Sequence, residues 1–249
     1  MTMRGVILAA GKGSRLNGTA GDKPKCLVEA GGVTLIERQI RTLREAGIDD
    51  IVAVVGCQAD RVRAVCGDGL TYIENPRYGE TNSLYSLWTA RALLLEGFVV
   101  LNCDVLFHPA LMDELLASHH DAALLMAYRE PGQAPFGDEE MKVKVRNGRV
   151  IDMSKTMDPA EADGENLGIV KFERTSAPQL VSIMDDLIAG GGTREWAPRA
   201  FCEYAQQQPL YAIGTSGYPW IEIDFPEDYQ RAIDEVLPAI DRGRTSDAA

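Results

Sequence analysis

The chain alternates between short, unbroken apolar runs and longer stretches with helical spacing. Residues 4–10 read as the first strand, Ile51–Val55 as a continuous apolar second, Leu70–Glu74 as a third, Phe98–Asn102 as an apolar fourth and Ala122–Tyr128 as a fifth. Apolar runs without polar alternation belong to strands buried on both faces. Between them, Thr34 followed by Glu37 reads as a capping box that opens a helix through Leu35, Ile36, Ile40 and Leu43, stopping at Gly47. Residues 59–66 read as a short helix. Thr81, Asn82 or Ser83 caps another through Leu84, Leu87 and Leu94-Leu95, and Pro109 opens one that runs to about Ser118. Strands alternating with helices predict an α/β fold: a Rossmann-like, mostly parallel sheet covered by helices on both faces.

From about residue 129 the rhythm changes. Met141–Arg146 and Arg149–Met153, joined across Asn147-Gly148, predict a hairpin with a type I′ turn. A polar loop over 155–166 precedes a strand over Gly168–Glu173, helices near 176–189 and 195–207, and a strand at Leu210–Ile213. Pro226 opens a final helix to about Val236. One domain over 1–240 follows, with a core over 1–128, a small inserted β/α region over 129–215, a closing segment over 216–240, and a disordered tail over 241–249.

Charge narrows the chemistry. Lys+Arg 25 against Asp+Glu 37 leaves a net charge of −12, which disfavours nucleic acid and anionic membrane as partners. Against that background Lys12, Arg15, Lys23 and Lys25 form a local basic cluster opposed only by Asp22. The five cysteines are scattered, with no CxxC pair. They predict reduced thiols, and neither a disulfide framework nor structural zinc. No leader and no apolar run long enough to span a membrane is expected, so the chain reads as cytoplasmic. Nothing in the pattern fixes the oligomeric state, and a homodimer stays open.

The basic cluster sits directly after the first strand, in Val6-Ile7-Leu8-Ala9-Ala10-Gly11-Lys12-Gly13-Ser14-Arg15-Leu16 and Lys23-Pro24-Lys25. A glycine-broken loop after a buried strand lets backbone N–H groups approach an anion closely. Arg15 and Lys25 can add charge-assisted contacts to it, and Lys23 stands between that role and simple solvation. A dinucleotide fingerprint needs a third glycine where Leu16 stands and an acid where Gly56-Cys57-Gln58 follows the second strand; the GxxxxGK[ST] pattern is absent too.

The run LAAGKGSRL…DKPKCLVEAGG resembles the signature of the sugar-1-phosphate nucleotidyltransferase superfamily. Glu74-Asn75-Pro76-Arg77-Tyr78-Gly79-Glu80-Thr81-Asn82-Ser83-Leu84-Tyr85-Ser86-Leu87-Trp88 resembles the bacterial choline-phosphate cytidylyltransferase branch, whose neighbours are the cytidylyltransferases for 2-aminoethylphosphonate and inositol phosphate. The resemblance implies a GT-A-like fold in which 1–128 binds the nucleotide and 129–215 the acceptor. It implies transfer of CMP from CTP to a small phosphorylated or phosphonylated amine. Leu8, Ala9, Ala10, Gly11, Gly13, Ser14, Arg15, Lys25, Gly56, Asn75, Asn82 and Ser83 would contact the nucleotide. Two departures from the phosphocholine branch stand out: Ser83 replaces a second asparagine, and Gly132–Phe136 holds no tryptophan.

Asp104 ends the fourth apolar run, and Asp224 ends Trp220-Ile221-Glu222-Ile223-Asp224. Ligands of parallel sheets bind beyond the carboxyl ends of strands, and hard carboxylates suit Mg²⁺. The plainer readings are a turn cap ahead of Pro109 for Asp104 and an N-cap before Pro226 for Asp224. The resemblance places a catalytic Mg²⁺ on both. With Lys25 and Arg15 they make the expected catalytic set. On the acceptor side the resemblance implicates Lys155, Glu165 and Gly168. Trp196, Tyr218 and Trp220 are aromatic candidates for a cation-binding wall, and Glu222, Asp138 or Glu139 could pair with an amine. The alternatives are a sugar-1-phosphate or inositol-phosphate acceptor and, more remotely, a nucleotide-sensing module without turnover.

Overall fold

The computed structural model describes residues 3–16, 23–130, 132 and 135–247. The first half comprises β1 (Arg4–Ala9), a small hairpin of β2 (Glu29–Ala30) and β3 (Val33–Thr34), α1 (Leu35–Glu45), β4 (Ile51–Val55), α2 (Ala59–Cys66) and β5 (Thr71–Glu74). It continues with α3 (Ser83–Thr89), β6 (Gly97–Asn102), β7 (Val105–Phe107), α4 (Ala110–Ala117) and β8 (Ala122–Tyr128). Then come β9 (Lys142–Arg146), β10 (Arg149–Ser154), β11 (Gly164–Glu173), α5 (Ala177–Ala189), α6 (Ala197–Gln207), β12 (Tyr211–Gly214) and β13 (Trp220–Glu222). The chain closes with α7 (Pro226–Arg231), a π-helical turn over Ala232–Val236, and α8 (Leu237–Asp247).

Nine strands make one sheet in the order β5-β4-β1-β6-β11-β8-β12-β10-β9. β5, β4, β1 and β6 run parallel, as the unbroken apolar sequences of β1, β4 and β6 predict. Alternation within β1 feeds both faces. Val6 and Leu8 join the core under α3, α5 and α6, whereas Ile7 and Ala9 join the one under α1, α2 and α4. Each aliphatic side chain fully buried there contributes about 1.5–3 kcal/mol. The capping box forms as predicted, with Thr34 accepting from Glu37 N and the Glu37 carboxylate accepting from Thr34 N. The hairpin turn is left-handed at Asn147 (φ 53°) and Gly148 (φ 75°), the signature of type I′. The helix opened by Asn82 is shorter than expected: it ends at Thr89, and Arg91–Leu93 form a 3₁₀ turn instead.

The inserted β/α region 129–215 is built into the same sheet: it supplies β9, β10, β11 and β12, and β11 lies antiparallel between β6 and β8. One sequence expectation is corrected: a disordered tail does not begin at residue 241, because α8 continues through Asp247. Leu237 and Ile240 bury against Leu16, Leu106 and Ile223 in a third core. The π turn before α8 widens the helix ahead of Pro238, which has no N–H to donate. Residues 248–249, like Asp22, lie outside the described set. Among the described residues no helix is long and apolar enough to cross a membrane.

Candidate active site

The carboxyl ends of β1 and β6 open into a cleft of about 190 Å³. Leu8, Ala10, Gly11, Gly13, Arg15 and Lys25 line one side, and Tyr78, Thr81, Asn82, Ser83 and Ser86 the roof between β5 and α3. Asn102, Cys103 and Asp104 form the floor with Glu222 and Asp224. Glu139, Met141, Lys155, Asn166, Trp196 and Pro198 make the far wall.

At its centre Lys25, only 8% exposed, donates from Nζ to Asp104 Oδ2 at 2.8 Å and to Asp224 Oδ1. Gly13, at φ 66°, makes this possible. A Cβ there would lie 3.0 Å from the Lys25 backbone nitrogen, so any larger residue would push the lysine off its seat. Burial works against the charge on Lys25, but the carboxylates of Asp104 and Asp224 outweigh it and hold the ammonium above the usual lysine range. Arg15 reaches Asp224 Oδ2 at 3.0 Å and Glu139 Oε2 at 2.7 Å, with its guanidinium 5.1 Å from the Phe225 ring centre. Lys155 Nζ lies 3.3 Å from the same Glu139 oxygen and 4.8 Å from the Trp196 ring centre.

Asp224 is not the helix cap. Asp228 takes that role, accepting from Asp224 N at 3.1 Å and Phe225 N at 2.9 Å, which leaves the Asp224 side chain to the cleft. Asp104, Glu222 and Asp224 each bring an oxygen within 4.8 Å of the others. Asp104 Oδ1 is buried with no hydrogen-bond partner. An all-carboxylate donor set with an orphaned oxygen fits a hard divalent cation such as Mg²⁺. Burial, with Asp104 and Asp224 adding repulsion, pushes the Glu222 carboxyl up to about 8.

Fourteen of the predicted residues therefore meet in the cleft: Leu8, Ala10, Gly11, Gly13, Arg15, Lys25, Asn82, Ser83, Asp104, Glu139, Lys155, Trp196, Glu222 and Asp224. Glu222, expected on the acceptor side, stands with the metal candidates. Ala9 faces the core, and the Ser14 side chain lies outside the described set. Gly56 supports the cleft from behind, since a Cβ there would lie 2.7 Å from Tyr78 and 2.9 Å from the Ala10 carbonyl. Asn75 is fully buried and donates to Thr81 Oγ1 and Ser86 Oγ, so it braces the roof and does not line it. Gly168 sits in a bulge of β11 and leaves room for Asn102, whose amide would be 2.5 Å from its Cβ. Tyr218 stacks on His108 at 4.8 Å, and both Tyr218 and Trp220 pack on the core outside the cleft. Lys23 pairs with Glu29 away from the cleft. Asn102, Met141 and Pro198 line it with no sequence signal to mark them, and Tyr78 lines it from within the stretch that carries the family resemblance.

Glu165 also departs from expectation. Its carboxyl is not in the cleft; burial foremost, then repulsion from Glu140, raises it to about 7. The folded state thus favours the proton. The cost of ionising it is absent below the unfolded value near 4.5, grows as pH rises, and is complete above 7. Glu165→Gln is expected to stabilise the protein by roughly 3 kcal/mol at most at pH 8 and by nothing at pH 4. Urea titrations at the two pH values check this, and an equal change at both would refute it.

The cleft thus combines a glycine-broken loop, a buried lysine and three clustered carboxylates at the carboxyl ends of parallel strands. The chain belongs to the MobA-like NTP transferase domain family, which it matches over residues 5–142. It is 31% identical over 240 residues to a bifunctional IPC transferase and DIPP synthase of Rubrobacter xylanophilus; the match covers 93% of this chain but spans only about half, 51%, of that relative. It is 26% identical to the choline-phosphate cytidylyltransferase of Streptococcus pneumoniae, over 94% of this chain and 98% of that one. The fold matches that of the inositol-1-phosphate CTP transferase from T. maritima, with a TM-score of 0.80, 20% identity and 97% of each chain covered.

Proposed function

We propose that this chain is a Mg²⁺-dependent cytidylyltransferase. It transfers CMP from CTP to a small phosphorylated or phosphonylated amine, phosphocholine or 2-aminoethylphosphonate, and releases pyrophosphate. The observation that carries this reading is the buried Lys25 held by Asp104 and Asp224 beside the Gly11–Gly13 loop. The acceptor is already an anionic nucleophile, so no Ser, Cys or His needs activating, and none of His108, His119 and His120 lines the cleft. The protein supplies in-line alignment and charge neutralisation. The loop amides and Arg15 hold the departing pyrophosphate, and Lys25 meets charge developing at the α-phosphorus. Lys155 holds the acceptor phosphate. Asp104, Glu222 and Asp224 would hold the Mg²⁺, which when bound neutralises phosphate charge.

Trp196, 43% exposed, and the Glu139 carboxylate form the wall that suits an amine head group. One observation favours a neutral polyol phosphate instead: Lys155 already occupies the Trp196 ring face that a quaternary cation would need. Pyrophosphate release separates the two. The protein would be incubated with Mg²⁺ and each nucleoside triphosphate. The acceptors would be phosphocholine, phosphoethanolamine, 2-aminoethylphosphonate, inositol phosphate and glucose-1-phosphate. Turnover with CTP and one amine acceptor supports the first reading, and turnover only with a polyol phosphate supports the second. Nucleotide binding without any turnover would leave a sensor.

Lys155→Met is expected to raise KM for the acceptor by roughly tenfold while KM for CTP stays within about a factor of two. Steady-state kinetics with each substrate varied in turn checks the split. Equal changes in both constants would remove Lys155 from the acceptor side.

A further inference from the structure

The turn that presents Asp104 is held from behind by a side chain that never reaches the cleft. Gln39 lies on α1, 1% exposed. Its amide Nε2 donates to the Asn102 carbonyl at 2.8 Å and to the Val105 carbonyl at 3.0 Å. Those two carbonyls bracket Cys103-Asp104, the whole connection between β6 and β7. Both amide hydrogens are thereby used, while Gln39 Oε1 is buried with no hydrogen-bond partner. An orphaned amide oxygen is destabilising, and a leucine of similar volume would avoid it. Flipping the amide is no remedy, since it would set that oxygen against two carbonyl oxygens. The arrangement makes sense if the two donated bonds matter more than the oxygen they leave unpaired. The same turn is tied forward as well: Ile223 N donates to the Asp104 carbonyl at 3.0 Å, between Glu222 and Asp224.

We infer that Gln39 is a positioning residue. By clamping the carbonyls on either side of Asp104, it sets that carboxylate's place relative to Glu222 and Asp224. It thereby sets the affinity of the cluster for a divalent cation. The inference rests on the metal-dependent reading of the site. Leucine at position 39 fills the space and donates nothing, so the turn is free to relax away from the cluster.

The probe is Mn²⁺, titrated against the full chain by electron paramagnetic resonance. Gln39→Leu is expected to raise the Mn²⁺ dissociation constant about tenfold, the lower end of what loss of an outer-shell partner does. The half-saturating Mg²⁺ for pyrophosphate release should rise by the same factor, while CMP binding in the presence of a chelator stays unchanged. Gln39→Met, unbranched and equally unable to donate, repeats the test should the leucine variant not fold. Ile40→Val, a core change on the same helix, controls for general loosening of α1 and should leave Mn²⁺ binding at the wild-type value. Unchanged Mn²⁺ binding in a folded Gln39 variant overturns the clamp, as does an equal loss in Ile40→Val. Absence of Mn²⁺ binding in the wild-type protein overturns the metal reading itself, and the clamp with it.

Discussion

Replacing Lys25 by methionine is expected to lower kcat by roughly 10²–10³, the effect of losing one preorganised donor worth about 3–4 kcal/mol. Geometry sets this expectation apart from a general collapse of the site. Lys25 Nζ bonds both Asp104 and Asp224, so its ammonium neutralises the same carboxylates that a divalent cation would use. Methionine removes the transition-state contact but also removes that competing charge. Mn²⁺ should therefore bind the variant at least as tightly as it binds the wild-type protein. Breaking a buried ion pair from one side destabilises, by about 3–5 kcal/mol in other proteins. The comparison is best made with Mg²⁺ present to compensate the carboxylates. A kcat within tenfold of wild type would remove Lys25 from the reaction. Lost Mn²⁺ binding would make it a structural brace for the carboxylates.

Much of this architecture was legible because local chemistry and burial agree. β4, α2 and β8 occupy the residues their apolar patterns mark, and Thr34 caps α1 as its spacing to Glu37 dictates. Asp104 and Asp224 were legible because charged residues that close strand-like runs must face a cleft or solvent, and Lys25 because it belongs to the basic cluster after β1 and to the family resemblance. The place of β11 was not. Antiparallel insertion between β6 and β8 depends on pairing partners far away in sequence. The strand also begins earlier than its apolar pattern, at Gly164, because Asn166 faces the cleft and breaks that pattern. Gly168 marked a strand start only because its bulge resembles one. Tyr218 and Trp220 show the opposite failure: an aromatic beside a functional motif carries no sign of whether it faces the ligand or the core behind it. For Glu222 a signal existed. In an extended segment, positions 222 and 224 share a side, so the neighbour of a metal-ligand candidate at i−2 is itself one.

Asp104→Asn should be the more damaging substitution, lowering kcat by about 10³ or more. Asparagine keeps the shape of the side chain and its Gln39-clamped turn. It loses the charge that faces Lys25 and that a bound cation would meet. Its single amide oxygen can fill only one of the two positions held by Oδ1, which has no hydrogen-bond partner, and Oδ2, which Lys25 holds. Unlike the Lys25 change, this one should weaken Mn²⁺ binding, and Mg²⁺ in excess should not restore the rate. A recovery to within tenfold at saturating Mg²⁺ would mean that Asp104 tunes cation affinity without acting in the reaction. The double variant extends the contrast. Lys25 and Asp104 are joined by a 2.8 Å ion pair and serve the same developing charge, so their effects should not add. Lys25→Met placed on Asp104→Asn is expected to cost far less than its own 10²–10³ in kcat. Full additivity would show instead that the two residues act on separate steps.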